Sequence, residues 1–216
     1  MTEETPPPAS PEACATRATR LAGRFGRIVG GLGYAKGLNP AQWDALRYLG
    51  MANRYSRTPG ALTAFLGCTR GTVSQTLKSL ETRGLIHKQR ATCDGRSVWL
   101  EVTPAGREVL ESDPACVIRQ AIARSGLGDE RAADLLEALV RGLVETCDLK
   151  TFGPCHDCGH LREGGQPGDD GLPAAAGPCC GLNGDRLAAR DMSGLCVNFA
   201  GPATPPDPTP EAGEPG

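Results

Sequence analysis

Gly71-Thr72-Val73-Ser74-Gln75-Thr76-Leu77-Lys78-Ser79-Leu80 is the stretch that decides the fold. Val73, Leu77 and Leu80 recur at helical spacing, which predicts an amphipathic helix with one buried face. Thr69 can cap its start and Gly84 can stop it. The opposite face carries Arg70, Thr72, Ser74, Gln75 and Lys78. Short polar and basic side chains of this kind suit a helix in the major groove, where base edges are read by hydrogen bonds and phosphates are held by Lys and Arg.

Downstream, Leu85-Ile86-His87-Lys88-Gln89-Arg90 and Ser97-Val98-Trp99-Leu100-Glu101-Val102 read as two strands. Asp94-Gly95 between them is a hairpin turn signal. Thr103-Pro104 then opens another helix, with Thr as cap and Pro at the first helical position. Upstream, Thr58-Pro59 repeats that device for a short helix over 60–66, which with the Gly67-Cys68 turn completes a helix-turn-helix. Asn39-Pro40 starts a further helix expected to turn Trp43, Leu46, Leu49 and Met51 inward.

Leu66-Gly67-Cys68-Thr69, Thr72-Val73-Ser74, Leu80-Glu81-Thr82-Arg83-Gly84-Leu85-Ile86, Asp94-Gly95-Arg96 and Leu100-Glu101-Val102-Thr103-Pro104-Ala105-Gly106 together resemble the winged helix-turn-helix of MarR-type transcription factors. The resemblance spans residues 17–150. It implies a mainly helical fold with a small β-hairpin wing and a helical dimerisation region built from the first and last two helices. It also implies a homodimer on double-stranded DNA and a small-molecule effector between the dimerisation and DNA-binding parts. In that family the arginine of the Asp-x-Arg motif, here Arg96, enters the minor groove; Asp94 would orient it, and Arg90 flanks the same wing tip. An Arg placed there reads groove width and potential more than base identity.

The remaining helices follow from spacing. Residues 15–36 carry Leu21, Phe25, Ile28, Val29 and Leu32 at helical intervals, with Arg17, Arg20, Arg24 and Arg27 among them. Gly30, Gly31 and Gly33 weaken the end of that helix. Two more helices are expected over 105–124, broken or kinked at Pro114, and over 129–150, with Asp129 as cap. In the last, Leu135, Leu136, Leu139, Val140, Leu143 and Val144 form a stripe wide enough to bury against a second subunit.

The 216 residues carry a net charge of −2, but the charge is unevenly placed. Residues 17–107 hold 15 Lys and Arg against 4 Asp and Glu, so that block is +11 and the rest −13. A basic block inside an acidic chain is the electrostatic footprint of nucleic-acid binding. No stretch approaches the roughly 20 apolar residues of a membrane span, and the start lacks the basic and apolar runs of a signal peptide. The expected location is cytoplasmic, where ten cysteines point to metal or redox chemistry more than to structural disulfides.

Five of those cysteines fall within residues 151–200. Cys155-His156-Asp157-Cys158 is a C-x2-C knuckle, and Cys179-Cys180 and Cys196 follow at a distance. Two thiolates at this spacing can hold one edge of a tetrahedral site, which a distant pair closes. The expected ligands are Cys155, Cys158, Cys180 and Cys196, with Cys179 and His160 as substitutes. Zinc is favoured; an iron–sulfur cluster, reversible disulfide chemistry and cysteines with no common role remain open. Cys68 at the start of the reading helix and Cys93 on the wing tip are redox candidates, while Cys116 and Cys147 read as helix-packing residues.

The organisation expected is therefore a disordered N-terminus over 1–14, a winged helix-turn-helix with dimerisation helices over 15–150, the Cys-rich metal-binding-like appendage over 151–200, and a disordered Pro-rich tail over 201–216. The function expected is a sequence-specific, dimeric transcriptional regulator on a palindromic operator, with a C-terminal zinc site. The alternative is a redox or iron–sulfur sensor whose cysteines control DNA affinity. A thiol redox enzyme using Cys155 and Cys158 is disfavoured, and no other catalytic constellation is present in the sequence.

Overall fold

The computed structural model describes residues 10–90, 98–164 and 177–201. Three helices wrap a core at the head of the molecule: α2 (Pro40–Met51), α3 (Pro59–Leu66) and α4 (Arg70–Thr82). Each opens with a side chain that accepts a backbone N–H: Asn39 from Gln42, Thr58 from Ala61, and Thr69 from Thr72. At Asn39 the cap is reciprocal, because the Gln42 side chain accepts the Asn39 N–H in turn. Gly67, at φ 60°, makes the left-handed turn between α3 and α4, and Gly84, at φ 69°, ends the passage out of α4.

Trp43, Leu46, Tyr48 and Leu49 of α2 interlock with Leu62 of α3 and with Val73, Leu77 and Leu80 of α4; all are essentially solvent-free. Fully burying each such side chain contributes roughly 1.5–3 kcal/mol, so these faces are what fixes the helix angles. Trp43 is core, and its Nε1–H donates to the Ala35 carbonyl at 3.1 Å. Met51 departs from expectation: it is 49 % exposed, because Tyr48 and Ala52 occupy the buried places beside it and the chain turns extended at Ala52.

The hairpin follows. β1 (Ile86–Arg90) pairs antiparallel with β2 (Val98–Val102), from Ile86 opposite Val102 to Arg90 opposite Val98. Ile86 and Leu100 point into the core. Residues 91–97, and with them Cys93, Asp94 and Arg96, lie outside the described residues.

α5 (Pro104–Glu111) is capped by Thr103, and the chain breaks at Pro114 before α6 (Cys116–Ser125). α7 spans Asp129–Thr146. Asp129 is its first helical residue rather than its cap; Gly128 takes that position without a side-chain hydrogen bond, so Asp129 and Glu130 act only on the helix dipole. α1 runs Pro11–Gly31, starting inside the segment expected to be disordered: Ser10 accepts the Ala13 N–H and Pro11 presets the first turn. Cys116 and Cys147 are exposed at helix ends rather than packed.

The C-terminal segment is irregular but folded. β3 (Gly153–Pro154) pairs with β6 (Leu195–Cys196), and β4 (Leu161–Glu163) with β5 (Pro178–Cys180). A 3-10 turn (Cys155–Asp157) and a single-turn α8 (Ala189–Met192) complete it. Phe152 docks it on the head, its ring edge-on to Phe65 of α3 at 5.2 Å and to Tyr48 of α2 at 6.1 Å.

Candidate nucleic-acid interface and cysteine cluster

Burial of Val73, Leu77 and Leu80 leaves Arg70, Thr72, Ser74, Gln75 and Lys78 of α4 in solvent. The expected polar face is thus a single exposed surface, held by α2 and α3 beneath it. Gln42 of α2 donates to Ser79 Oγ at 2.7 Å, which pins the rotation of α4 about its axis. The wing is tied to the same helix: Lys88 of β1 pairs with Glu81 of α4 at 2.8 Å. Arg90 ends β1; Asp94 and Arg96 fall in the stretch outside the described residues. Cys68 is half-buried against the head core, where it packs as a small apolar side chain.

In the appendage, the chain turns twice in succession, with Cys158 N–H donating to the Cys155 carbonyl and Leu161 N–H to that of Cys158. This knuckle brings Cys155 and Cys158 to one side of a small cavity. The turn at Cys180, whose N–H and carbonyl are closed by Asp185 and Gly184, supplies the third cysteine, and β6 supplies Cys196. All four, together with His160 and Tyr55, line that cavity. Its volume of about 20 Å³ admits one water- or ion-sized occupant. Cys179 faces elsewhere: it is buried, and its thiol donates to the Gly164 carbonyl at 3.4 Å.

Burial pushes the Cys155 thiol up to about 11, and the neighbouring Cys196, Cys158 and Cys180 act in the same direction against the Asn53 hydrogen bond. Among the described residues, no three His, Cys, Asp or Glu side chains stand in a metal-holding arrangement.

Asn53 belongs to no sequence motif. Its side chain is 1 % exposed, and its Nδ2–H donates to Cys155 Sγ at 3.5 Å. Ser56 Oγ and the Tyr55 N–H donate to Asn53 Oδ1 at 2.9 and 3.1 Å, which orients the amide with nitrogen toward sulfur. Nearby, Tyr55 donates to Asp185, and Arg54 pairs with the buried Asp191 at 3.6 Å and donates to the Arg186 carbonyl. The only advance sign is that Asn53-Arg54-Tyr55-Ser56 is a polar run between two apolar helices.

Residues 36–97 match the family model described as MarR family. Among curated proteins none matches the chain. Solved structures similar to it include a probable transcriptional regulator from Pseudomonas aeruginosa, at 29 % identity over 58 % of this chain and 94 % of that one, with a TM-score of 0.44. A MarR family transcriptional regulator from Silicibacter pomeroyi is 25 % identical over 61 % and 88 %, TM-score 0.49. The S. aureus MepR–DNA complex is 20 % identical over 59 % and 96 %, TM-score 0.49. The matched segment runs from the residues before α2 through α3, α4 and β1 and ends just ahead of β2, and it is this part of the chain that is similar to the MarR family.

Proposed function

We propose that the chain is a sequence-specific transcriptional regulator that binds double-stranded DNA as a homodimer. The observation that carries this reading is the exposed face of α4, where Arg70, Thr72, Ser74, Gln75 and Lys78 stand clear of a core that fixes the helix rigidly. The wing beside it, with Arg90 and, beyond the described residues, Asp94 and Arg96, would take the backbone and minor groove. Two reading helices related by a dimer axis, about one turn of DNA apart, call for a roughly palindromic operator.

Dimerisation is supported by apolar surface with no partner among the described residues. Leu135, Leu139, Val140 and Leu143 of α7 and Phe25 and Ile28 of α1 are all exposed. The groove between α1, α6 and α7 is walled by Val29, Val117, Ile118 and Leu136. Patches of this extent mark association sites, and a second copy would bury like against like. The family resemblance adds a small-molecule effector between this region and the head.

The reading includes a zinc site in the appendage at Cys155, Cys158, Cys180 and Cys196. The competing form is a redox or iron–sulfur-sensing regulator. A thiol redox enzyme is disfavoured because the C-x-x-C of Cys155 and Cys158 sits on a 3-10 turn and lacks the strand-to-helix setting of a thioredoxin-like site. Selecting duplexes from a random library with the full chain, then measuring affinity and sedimentation, tests the main proposal. Enrichment of an inverted repeat bound by two chains is the expected result; a monomer that retains no duplex would overturn it.

A further inference from the structure

We propose that Cys155, Cys158, Cys180 and Cys196 hold one zinc ion whose presence sets DNA affinity, transmitted by Asn53 and residues 52–57 to the wing. This rests on the DNA-binding and zinc readings above and adds how the two sites are joined.

The ligand set is selected by the cavity lining and the chemistry of its donors, the side chains of the described residues as they stand not being in a metal-holding arrangement. Four thiols share a cavity sized for one ion, while the fifth cysteine of the segment, Cys179, is turned away to Gly164. Closing on an ion needs rotation of the thiols about χ1, which has three staggered wells. Four thiolates in a tetrahedron are a closed structural zinc set. His160 also lines the cavity and is the available substitute. Asn53 completes the arrangement from outside: an N–H donor aimed at Cys155 sulfur favours the thiolate, as the outer partners of metal ligands do.

The loop that carries Asn53 is fastened to both sites. Toward the cysteines, Asn53 N–H donates to the Leu195 carbonyl at 3.0 Å, and the Val197 N–H donates to Ser56 Oγ at 2.7 Å. The residues on either side of Cys196 are therefore both held by the loop. Gly194 lies so close that an added Cβ would stand 2.9–3.0 Å from the Asn53 backbone and Cβ. Toward the head, Tyr48 of α2 donates to the Ser56 carbonyl at 2.8 Å, and Leu100 N–H of β2 donates to the Arg57 carbonyl at 2.8 Å. Six residues thus span from a metal ligand to the wing strand, with Asn53 and Ser56 solvent-free.

An irregular segment whose hydrophobic cluster, among the described residues, has Cys155, Leu187 and Cys196 as its buried members gains much of its order from ion binding, since metal-binding energy acts as folding energy. Removing the ion loosens Cys155 and Cys196, which frees the loop and the edge of β2 that it braces. Linkage requires the reverse as well: DNA binding raises zinc affinity by the factor by which zinc raises DNA affinity.

The test uses the full chain, purified without oxygen, with zinc, iron and sulfide measured per chain. Binding to the selected duplex is then compared before chelation, after chelation and after zinc is restored, at one salt concentration. We expect about one zinc per chain, duplex affinity that falls about tenfold or more on chelation, and recovery with zinc alone. Asn53→Ala, a change at a positioning residue, should keep zinc yet lose most of the difference between loaded and chelated protein. Should that variant fail to fold, the chelation series on the unaltered chain still decides. One zinc per chain with unchanged duplex affinity overturns the coupling and leaves the zinc site standing. Iron with sulfide, or no metal and oxidised cysteines, overturns the zinc assignment. Loss of duplex binding in every state overturns the DNA reading instead.

Discussion

Arg47 of α2 is clasped by Asp113 in the turn before α6: Nε donates to one carboxylate oxygen and Nη2 to the other, each at 2.7 Å. The two residues join the helix-turn-helix support to the start of the helices that carry the apolar faces. Asp113 also accepts the Ala115 N–H at 2.8 Å, so it shapes the break at Pro114 as it holds Arg47. Burial pushes the Asp113 carboxyl up, but the Arg47 hydrogen bond, the Ala115 N–H and the Arg47 charge outweigh it and hold it below its ordinary value.

A carboxyl lowered in the folded state contributes stability above its unfolded pKa, and that contribution fades as pH falls through the lowered folded value. Asp113→Ala should therefore cost about 1–3 kcal/mol near neutrality, where a half-buried Arg47 loses its bidentate partner. The gap between variant and unaltered chain should close in strong acid. Urea unfolding from neutral pH into strong acid checks this; a gap independent of pH throughout would show that the pair's charge is not what stabilises the turn.

Gly106 separates intrinsic preference from packing. In an exposed helix, Gly→Ala is stabilising by about 1 kcal/mol. Here an added Cβ would stand 2.2 Å from the Leu85 carbonyl oxygen and 2.8 Å from a Val102 methyl. That carbonyl already accepts the Thr103 N–H at 3.0 Å, so it is not free to retreat. Gly106→Ala should lower stability by about 1–3 kcal/mol, read as a reduced unfolding midpoint with unchanged slope.

The α7 surface predicts a change in association without a change in the head. Leu139 and Leu143 are 54 % and 61 % exposed and belong to no core cluster among the described residues. Leu139→Asp with Leu143→Asp should give monomers by sedimentation equilibrium and weaken duplex binding, because only one reading helix then engages each site. A variant that remains dimeric would move the interface away from α7.

Local signals carried most of the head. Thr69, Thr58, Asn39 and Thr103 each announced a helix start, and each does accept the backbone N–H expected of it. Spacing left open whether Cys179 or Cys180 joins Cys155, Cys158 and Cys196; Cys180 lines their cavity, while Cys179 turns to the Gly164 carbonyl. What spacing could not reveal were contacts across long separations. Asn53 reaches Cys155 over 102 residues, and Ser56 reaches Val197 over 141. Such pairs depend on how the appendage docks, which Phe152 and the 52–57 loop decide together. Met51 and Asp129 fail for a smaller reason: at helix ends, chain direction overrides periodicity by one or two residues.

Two neighbours on α4 should respond differently to alanine if that helix reads DNA. Lys78 ends in a point charge suited to phosphate, so Lys78→Ala should weaken binding to all duplexes alike and lower the salt slope by about 0.9, the release of one counterion. Gln75 carries a donor and an acceptor suited to a base edge. Gln75→Ala should leave the salt slope unchanged and cost about 1–3 kcal/mol on the preferred duplex only. Both side chains are exposed and neither touches the buried face of Val73, Leu77 and Leu80, so stability should hold in both variants. Equal losses on every duplex for both residues would reduce α4 to an electrostatic anchor and shift sequence choice to the wing.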